Sequence, residues 1–204
     1  DVYTGFKWIA NVMRENEGKK NYIGGGEESY GFLCEDFVRD KDAVSACVIL
    51  AEIAAWAKDQ GLSLYQLLQK IYVEYGFSKE KGISVVKKGK SGAEEIEAMM
   101  KKFRENPLTE IAGSKVTYFY DYSTLKGKDY AENETVTLDM PTTSNVLQYF
   151  TEDNTKVSIR PSGTEPKIKF YCEVHSKVKS IDELPEAEKA AEEKINQIKA
   201  SLGI

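Results

Sequence analysis

The densest chemistry in this 204-residue chain lies in one stretch, Arg160-Pro161-Ser162-Gly163-Thr164-Glu165-Pro166-Lys167-Ile168-Lys169. Arg160 offers a planar fork of donors, and Lys167 and Lys169 offer point charges. Ser162 and Thr164 add two hydroxyls, and Gly163 lets a ligand approach the backbone closely. A phosphate dianion needs this set of donors at fixed positions. The flanking residues predict how they are held. Val157 and Ile159 alternate with Ser158 and Arg160, and Ile168, Phe170, Cys172 and Val174 alternate with Lys167, Lys169, Tyr171 and Glu173. A period of two reads as two strands with opposite faces apolar and polar. Paired as a hairpin, they place Arg160, Lys167 and Lys169 on one outer face beside the loop. The simpler alternative is a polar hairpin tip with a solvated charged face.

A second stretch, Gly24-Gly25-Gly26-Glu27-Glu28-Ser29-Tyr30-Gly31, is glycine-rich but a poor nucleotide loop, because two carboxylates follow the glycines. Glu27 and Ser29 are better suited to hydrogen-bond sugar hydroxyls. A flexible acidic turn is the competing reading. Arg39-Asp40-Lys41-Asp42 reads first as a charged helix start, with the aspartates favoured by the helix dipole. His175 is the only histidine, with no second histidine for a metal and no evident serine partner.

The composition limits what these sites can be. With 41% hydrophobic and 30% charged residues the chain is an ordinary globular protein. A net charge of −5 argues against nucleic-acid binding, so any anion must be held by a local basic site. Three cysteines, Cys34, Cys47 and Cys172, lack metal-ligand spacing and are expected to be reduced, buried thiols of a cytoplasmic protein. There is no run of about eighteen apolar residues, so no membrane span is expected. The abrupt opening on Asp1-Val2-Tyr3 suggests a piece of something longer.

The elements that must position these residues can be read from periodicity. Thr4 is the expected N-cap of a helix with Phe6, Ile9, Val12 and Met13 inward. A helix over 41–58 is apolar almost all round and is expected to be buried. Ser63-Leu64-Tyr65-Gln66 reads as a capping box opening another helix. A domain boundary is expected near residue 78, giving domains 1–77 and 78–204. The second opens with a strand at 83–86. Ser91-Gly92-Ala93-Glu94 then caps a helix with Ile96, Met99, Met100 and Phe103 inward, ended by Asn106-Pro107. Val116, Tyr118, Tyr120 and Tyr122 alternate as a strand. Residues 123–143 read as a long loop with a short strand at 135–138, followed by a strand at 145–150 and the hairpin. A final helix runs from about 184 to 200. Strand, helix, several antiparallel strands and helix make an α+β unit with helices on one face of a sheet.

The order Arg160-Pro161-Ser162-Gly163-Thr164-Glu165-Pro166-Lys167 resembles the phosphate-binding loop in the last domain of the α-D-phosphohexomutases, the phosphoglucomutases and phosphomannomutases. Glu27-Glu28-Ser29-Tyr30-Gly31 is similar to the sugar-binding loop of that family's third domain, and the likeness continues through residues 36–42. Thr4-Gly5-Phe6-Lys7 looks like its loop for recognising sugar orientation. The resemblance implies a partial third α/β domain followed by an α+β domain resembling the TATA-box-binding-protein fold. It implies that Glu27 and Ser29 hold sugar hydroxyls, that Thr4 and Gly5 sense ring orientation, and that Arg39 and Lys41 support the ligand. Arg160, Ser162, Gly163, Thr164 and Lys169 would grip the phosphate that is not being transferred. Which of Lys167 and Lys169 takes part stays open.

The family's reaction passes a phosphoryl group between two hydroxyls of one sugar through a phosphoserine and a bisphosphorylated intermediate, glucose 1,6-bisphosphate for a glucose substrate. Mg²⁺ held by an aspartate-rich loop offsets charge. Neither the family's serine loop, Thr-Ala-Ser-His-Asn-Pro, nor its metal loop, Asp-Gly-Asp-x-Asp-Arg, occurs here. The expected role is therefore hexose-phosphate recognition within a larger enzyme whose N-terminal domains supply the chemistry. This piece alone is expected to be inactive. A non-catalytic phosphosugar-binding module and a phosphopentomutase of the same family are the alternatives.

Overall fold

A computed structural model describes residues 2–87, 89–163 and 165–204, and at Lys90 the backbone only. The chain forms two compact units, 1–68 and 69–204.

In the first unit, helix α1 (Phe6–Glu15) buries Phe6 and Met13 against Leu33. Its N-cap is Gly5 with φ 115, not Thr4, and no side chain caps it. A positive φ is strained for residues with a Cβ, which moves the entry point to the glycine. The three glycines form strand β1 (Gly24–Gly26), paired antiparallel with β2 (Phe32–Cys34). The acidic turn lies between them. Helix α2 (Ala43–Asp59) starts where the Asp42 carboxylate accepts from the backbone N–H groups of Val44 and Ser45.

The expectation that α2 is buried fails. Val44 is 73% exposed, Trp56 54%, and only Ala57 is buried. Within this unit the described residues offer α1, a two-stranded ribbon and the opening turn of the next helix, too little apolar surface to cover such a helix. Cys47 is exposed for the same reason, against the expectation of three buried thiols, although all three are free. The capping box ahead of helix α3 (Leu64–Tyr75) is present: Gln66 N–H donates to Ser63 Oγ at 3.2 Å, and Ser63 N–H donates to Gln66 Oε1 at 2.9 Å.

The second unit is a fully antiparallel sheet backed by helices. Strand β3 (Phe77–Val86) is longer than the expected 83–86, because it pairs along the whole of β10 (Lys167–Ser176). Helix α4 (Gly89–Glu105) begins before Ser91, so the proposed capping box lies inside it. A two-residue strand β4 (Glu110–Ile111) pairs with β5 (Ser114–Asp121). The supposed long loop contains a hairpin, β6 (Lys126–Asp129) with β7 (Glu134–Thr137). Then come β8 (Leu147–Thr151) and β9 (Lys156–Pro161). The sheet order is β3-β10-β9-β8-β5-β6-β7. The last helix, α5 (Leu184–Leu202), has Pro185 in its first turn and Gly203 left-handed at its C-cap.

The alternation breaks in β5. A bulge between Val116 and Tyr118 shifts the phase, so Val116, Phe119 and Asp121 are buried while Tyr118 and Tyr120 stand on the other face. The core lies between the sheet and α4 and α5, around Tyr149, Phe170, Ile159, Ile168, Met100, Ile195 and Ile198. Tyr149 is fully buried, and its hydroxyl donates to the Phe103 carbonyl at 3.1 Å, which satisfies the one polar atom it carries inward. Lys79 reaches Glu188 at 3.0 Å, and Lys81 pairs with Glu192, fastening α5 along β3.

The β8–β9 turn is tied to α5 by Asp153 and Lys194. Burial opposes ionisation of Asp153. Hydrogen bonds from Lys194, Thr151 and Thr155 outweigh it and hold the carboxyl well below the usual carboxylate range. A depressed folded-state value gives stability that is complete above the unfolded value, about 3.9, and is lost as pH falls below it. Asp153→Asn should lower the thermal midpoint at pH 7 and flatten its decline between pH 5 and pH 2. A variant whose acid decline matches the parent would show that this pair contributes nothing.

Candidate phosphate and sugar-hydroxyl sites

In the second unit, pairing of β9 with β10 places Arg160 directly opposite Lys169. Cross-strand partners share a face about 5 Å apart at Cβ. Their neighbours Ile159, Ile168 and Phe170 are fully buried on the helix-covered side, so both cations stand on the open side of the sheet. Among the described residues, neither Arg160 nor Lys169 forms an ion pair with a carboxylate. Lys169 Nζ instead lies 5.8 Å from the centre of the Tyr171 ring. Ser84 is the next residue across, opposite Lys169 on β3.

The hairpin tip closes tightly. Ser162 N–H donates to the Lys167 carbonyl at 2.8 Å, and Lys167 N–H donates to the Glu165 carbonyl at 2.7 Å. Ser162 Oγ accepts from Glu165 N–H at 3.3 Å. Lys87 N–H donates to the Pro166 carbonyl at 2.9 Å, anchoring the tip to the end of β3. Lys167 pairs with Glu165. At Gly163 a Cβ would meet nothing within 4 Å, so packing inside the protein places no demand for glycine there. Thr164 lies outside the described residues.

In the first unit, Glu27, Lys41 and Gly31 come together. Glu27 N–H donates to the Gly31 carbonyl at 2.7 Å, closing the turn. The Glu27 side chain is 13% exposed, and its carboxylate lies 3.8 Å from Lys41 Nζ. Lys41 also contacts Asp40 at 2.9 Å and lies 5.5 Å from the centre of the Phe6 ring. The Asp40 hydrogen bond, which exceeds the opposing desolvation and is reinforced by the charges of Asp40 and Glu27, raises the Lys41 pKa. Lys41 is thus a cation throughout the physiological range. Phe6 begins α1 directly after Gly5, so the Thr4-Gly5-Phe6-Lys7 stretch reaches this cluster through Phe6. Thr4 and Ser29 are exposed. Arg39 turns elsewhere, to Glu17 at 3.3 Å.

Other reactive groups are accounted for structurally. Burial pushes the Cys172 thiol up to about 11, which leaves it protonated and unreactive at neutral pH. His175 stands at a strand end beside Glu173, 2.8 Å away. Among the described residues no group of three or more His, Cys, Asp or Glu is arranged to hold a metal ion. No helix among them is long and apolar enough to cross a membrane. Sequence reasoning missed the Arg104–Asp121 contact at 2.9 Å, in which Asp121 also accepts from the Ser123 N–H and hydroxyl. A lone aspartate closing an aromatic strand was the available signal.

The second unit is therefore a hairpin that sets two cations in register on a helix-backed antiparallel sheet, and the first is a unit whose turn presents a shielded carboxylate. Residues 1–75 match the phosphoglucomutase/phosphomannomutase alpha/beta/alpha domain III, and residues 83–191 match the C-terminal domain of the same family. The chain belongs to the phosphoglucomutase/phosphomannomutase family. It is 38% identical over 175 residues to a phosphoglucomutase of Staphylococcus haemolyticus, covering 86% of this chain and 32% of the relative. A phosphoglucomutase of Staphylococcus aureus is 40% identical over 171 residues, covering 84% and 31%. The chain thus spans about a third of the length of the curated relatives it matches. Among solved structures, the open form of the exocytosis-sensitive phosphoprotein pp63/parafusin of Paramecium shares the fold. The TM-score is 0.53 at 20% identity, covering 98% of this chain and 34% of that one.

Gly31 sets how closely Glu27 and Lys41 meet. A Cβ there would lie 2.5 Å from Lys41 Cδ and 2.8 Å from Glu27 Oε2. Both are movable side-chain atoms, so Gly31→Ala should keep the fold and push the pair apart. A crystal structure of the variant should show the 3.8 Å contact opened, whereas an unmoved pair would remove the steric reason for glycine.

Proposed function

We propose that this chain is the substrate-recognition part of a phosphoglucomutase that interconverts hexose 1-phosphate and hexose 6-phosphate. The observation that carries the reading is the Arg160–Lys169 pair, two cations in register on an open sheet face beside a loop rich in donors. Arg160 and Lys169, with Ser162, Gly163 and Thr164, hold the phosphate that is not being transferred. In the first unit Glu27 accepts from sugar hydroxyls, Lys41 orients that carboxylate from 3.8 Å, and Ser29 adds a hydroxyl. Thr4 and Gly5 sense ring orientation, and Arg39 supports the ligand from the same segment as Lys41.

The phosphoserine and the Mg²⁺ belong to other domains of the parent chain. The ion, when bound there, offsets charge on the transferring group. This chain's own contribution is to bind and orient, which lowers the barrier by fixing the geometry of the reacting ends. The same domains supply the apolar surface that α2 lacks, since its exposed Val44, Val48, Ile53 and Trp56 would otherwise face water. The enzyme acts in the cytoplasm, and the 204-residue chain alone has no mutase activity.

Each charge-assisted hydrogen bond to a phosphate contributes roughly 1.5–3 kcal/mol. Arg160→Ala in the parent enzyme should therefore lower kcat/KM for hexose phosphate about 10–100-fold. Serine phosphorylation should still proceed. Steady-state kinetics equal to those of the parent would refute the assignment.

A further inference from the structure

The phosphate seat carries its own negative charge. Glu165 lies inside the loop that would hold the phosphate, three residues after Ser162 and two before Lys167. Its carboxylate pairs with Lys167, whose side chain is 28% exposed, while the carboxylate itself is 59% exposed. The bond from Glu165 N–H to Ser162 Oγ and the bond from Lys167 N–H to the Glu165 carbonyl hold the residue's backbone in the loop. The Lys167 side chain, followed by its charge and that of Lys169, keeps the Glu165 carboxyl below its usual range, so it is charged at neutral pH. Lys167 sits two residues from Lys169 along the strand, on the face that carries Arg160.

Resting on the reading above, we propose that Glu165 is a built-in counter-anion of the phosphate seat, competing with bound phosphate for Lys167 and moderating its affinity. Arg160 and Lys169, which have no carboxylate partner among the described residues, give the seat its permanent charge. Lys167 is then available to phosphate only in exchange for Glu165. Such a device suits a site that must release a sugar phosphate as well as hold it. Without a competitor, three cations around one dianion would bind in the ground state more tightly than turnover tolerates. Glu165 is a positioning residue in this scheme, because it acts through Lys167 and touches no reacting atom.

The test is calorimetric titration of inorganic phosphate into the 204-residue chain at low salt. Glu165→Gln keeps the size and the backbone bonds and removes the charge. It should bind phosphate about 2–5-fold more tightly than the parent chain, and in a Lys167→Ala background the same substitution should gain less. In the parent enzyme Glu165→Gln should lower KM and kcat together, a split that simple loss of loop structure would not produce. If Arg160→Ala abolishes phosphate binding but Glu165→Gln leaves it unchanged or weaker, the seat stands and the counter-anion is refuted. If neither substitution alters binding, the seat and the counter-anion fall together.

Discussion

The antiparallel register of β9 with β10 is the constraint on which the rest of the second unit depends. Shifting it by one residue would turn Ile159, Ile168 and Phe170 to water and Arg160, Lys167 and Lys169 into the core. Burial of those apolar side chains against α4 and α5 is worth roughly 1.5–3 kcal/mol each, so the register is heavily favoured. The cations are thus placed by the hydrophobic pattern of their neighbours rather than by their own interactions. That is why two like charges can stand opposite each other across a strand pair, an arrangement that is unfavourable unless an anion joins them.

The two units use glycine and carboxylate for opposite purposes. In the turn after β1, the Glu27 carboxylate is shielded and lies 3.8 Å from Lys41 Nζ. At the hairpin tip Glu165 is exposed and attached to a cation. A Cβ at Gly31 would displace the Lys41 and Glu27 side chains, whereas Gly163 has open space around it. The first glycine serves internal packing. No internal contact calls for the second.

Periodicity made the hairpin, the capping box at Ser63 and the buried stripe of α5 legible in the sequence, because one-sided burial imposes a period that local residues report directly. Ile195, Ile198 and Leu202 follow that rule. The helix over 43–59 did not obey its own composition. Val44, Val48 and Trp56 read as core, but a helix is buried only if something covers it, and coverage is not a local property. The aromatic strand was read out of phase because the bulge beside Thr117 leaves no sequence mark. Asp121 and Arg104 escaped notice because their contact joins the end of a helix to the end of a strand. Among the site residues, the donors near Gly163 were visible as a pattern. The closeness of Glu27, Gly31 and Lys41 depended on a turn whose shape only the folded chain supplies.

On the proposed reading, the hairpin tip is a preformed seat for a doubly charged oxyanion. A crystal structure of the chain grown at high phosphate concentration tests it most directly. Such crystals should hold a phosphate bound by the Arg160 guanidinium, Lys169 and the donors around Gly163. A tip without an anion under those conditions, with the guanidinium of Arg160 turned away from the loop, would contradict it.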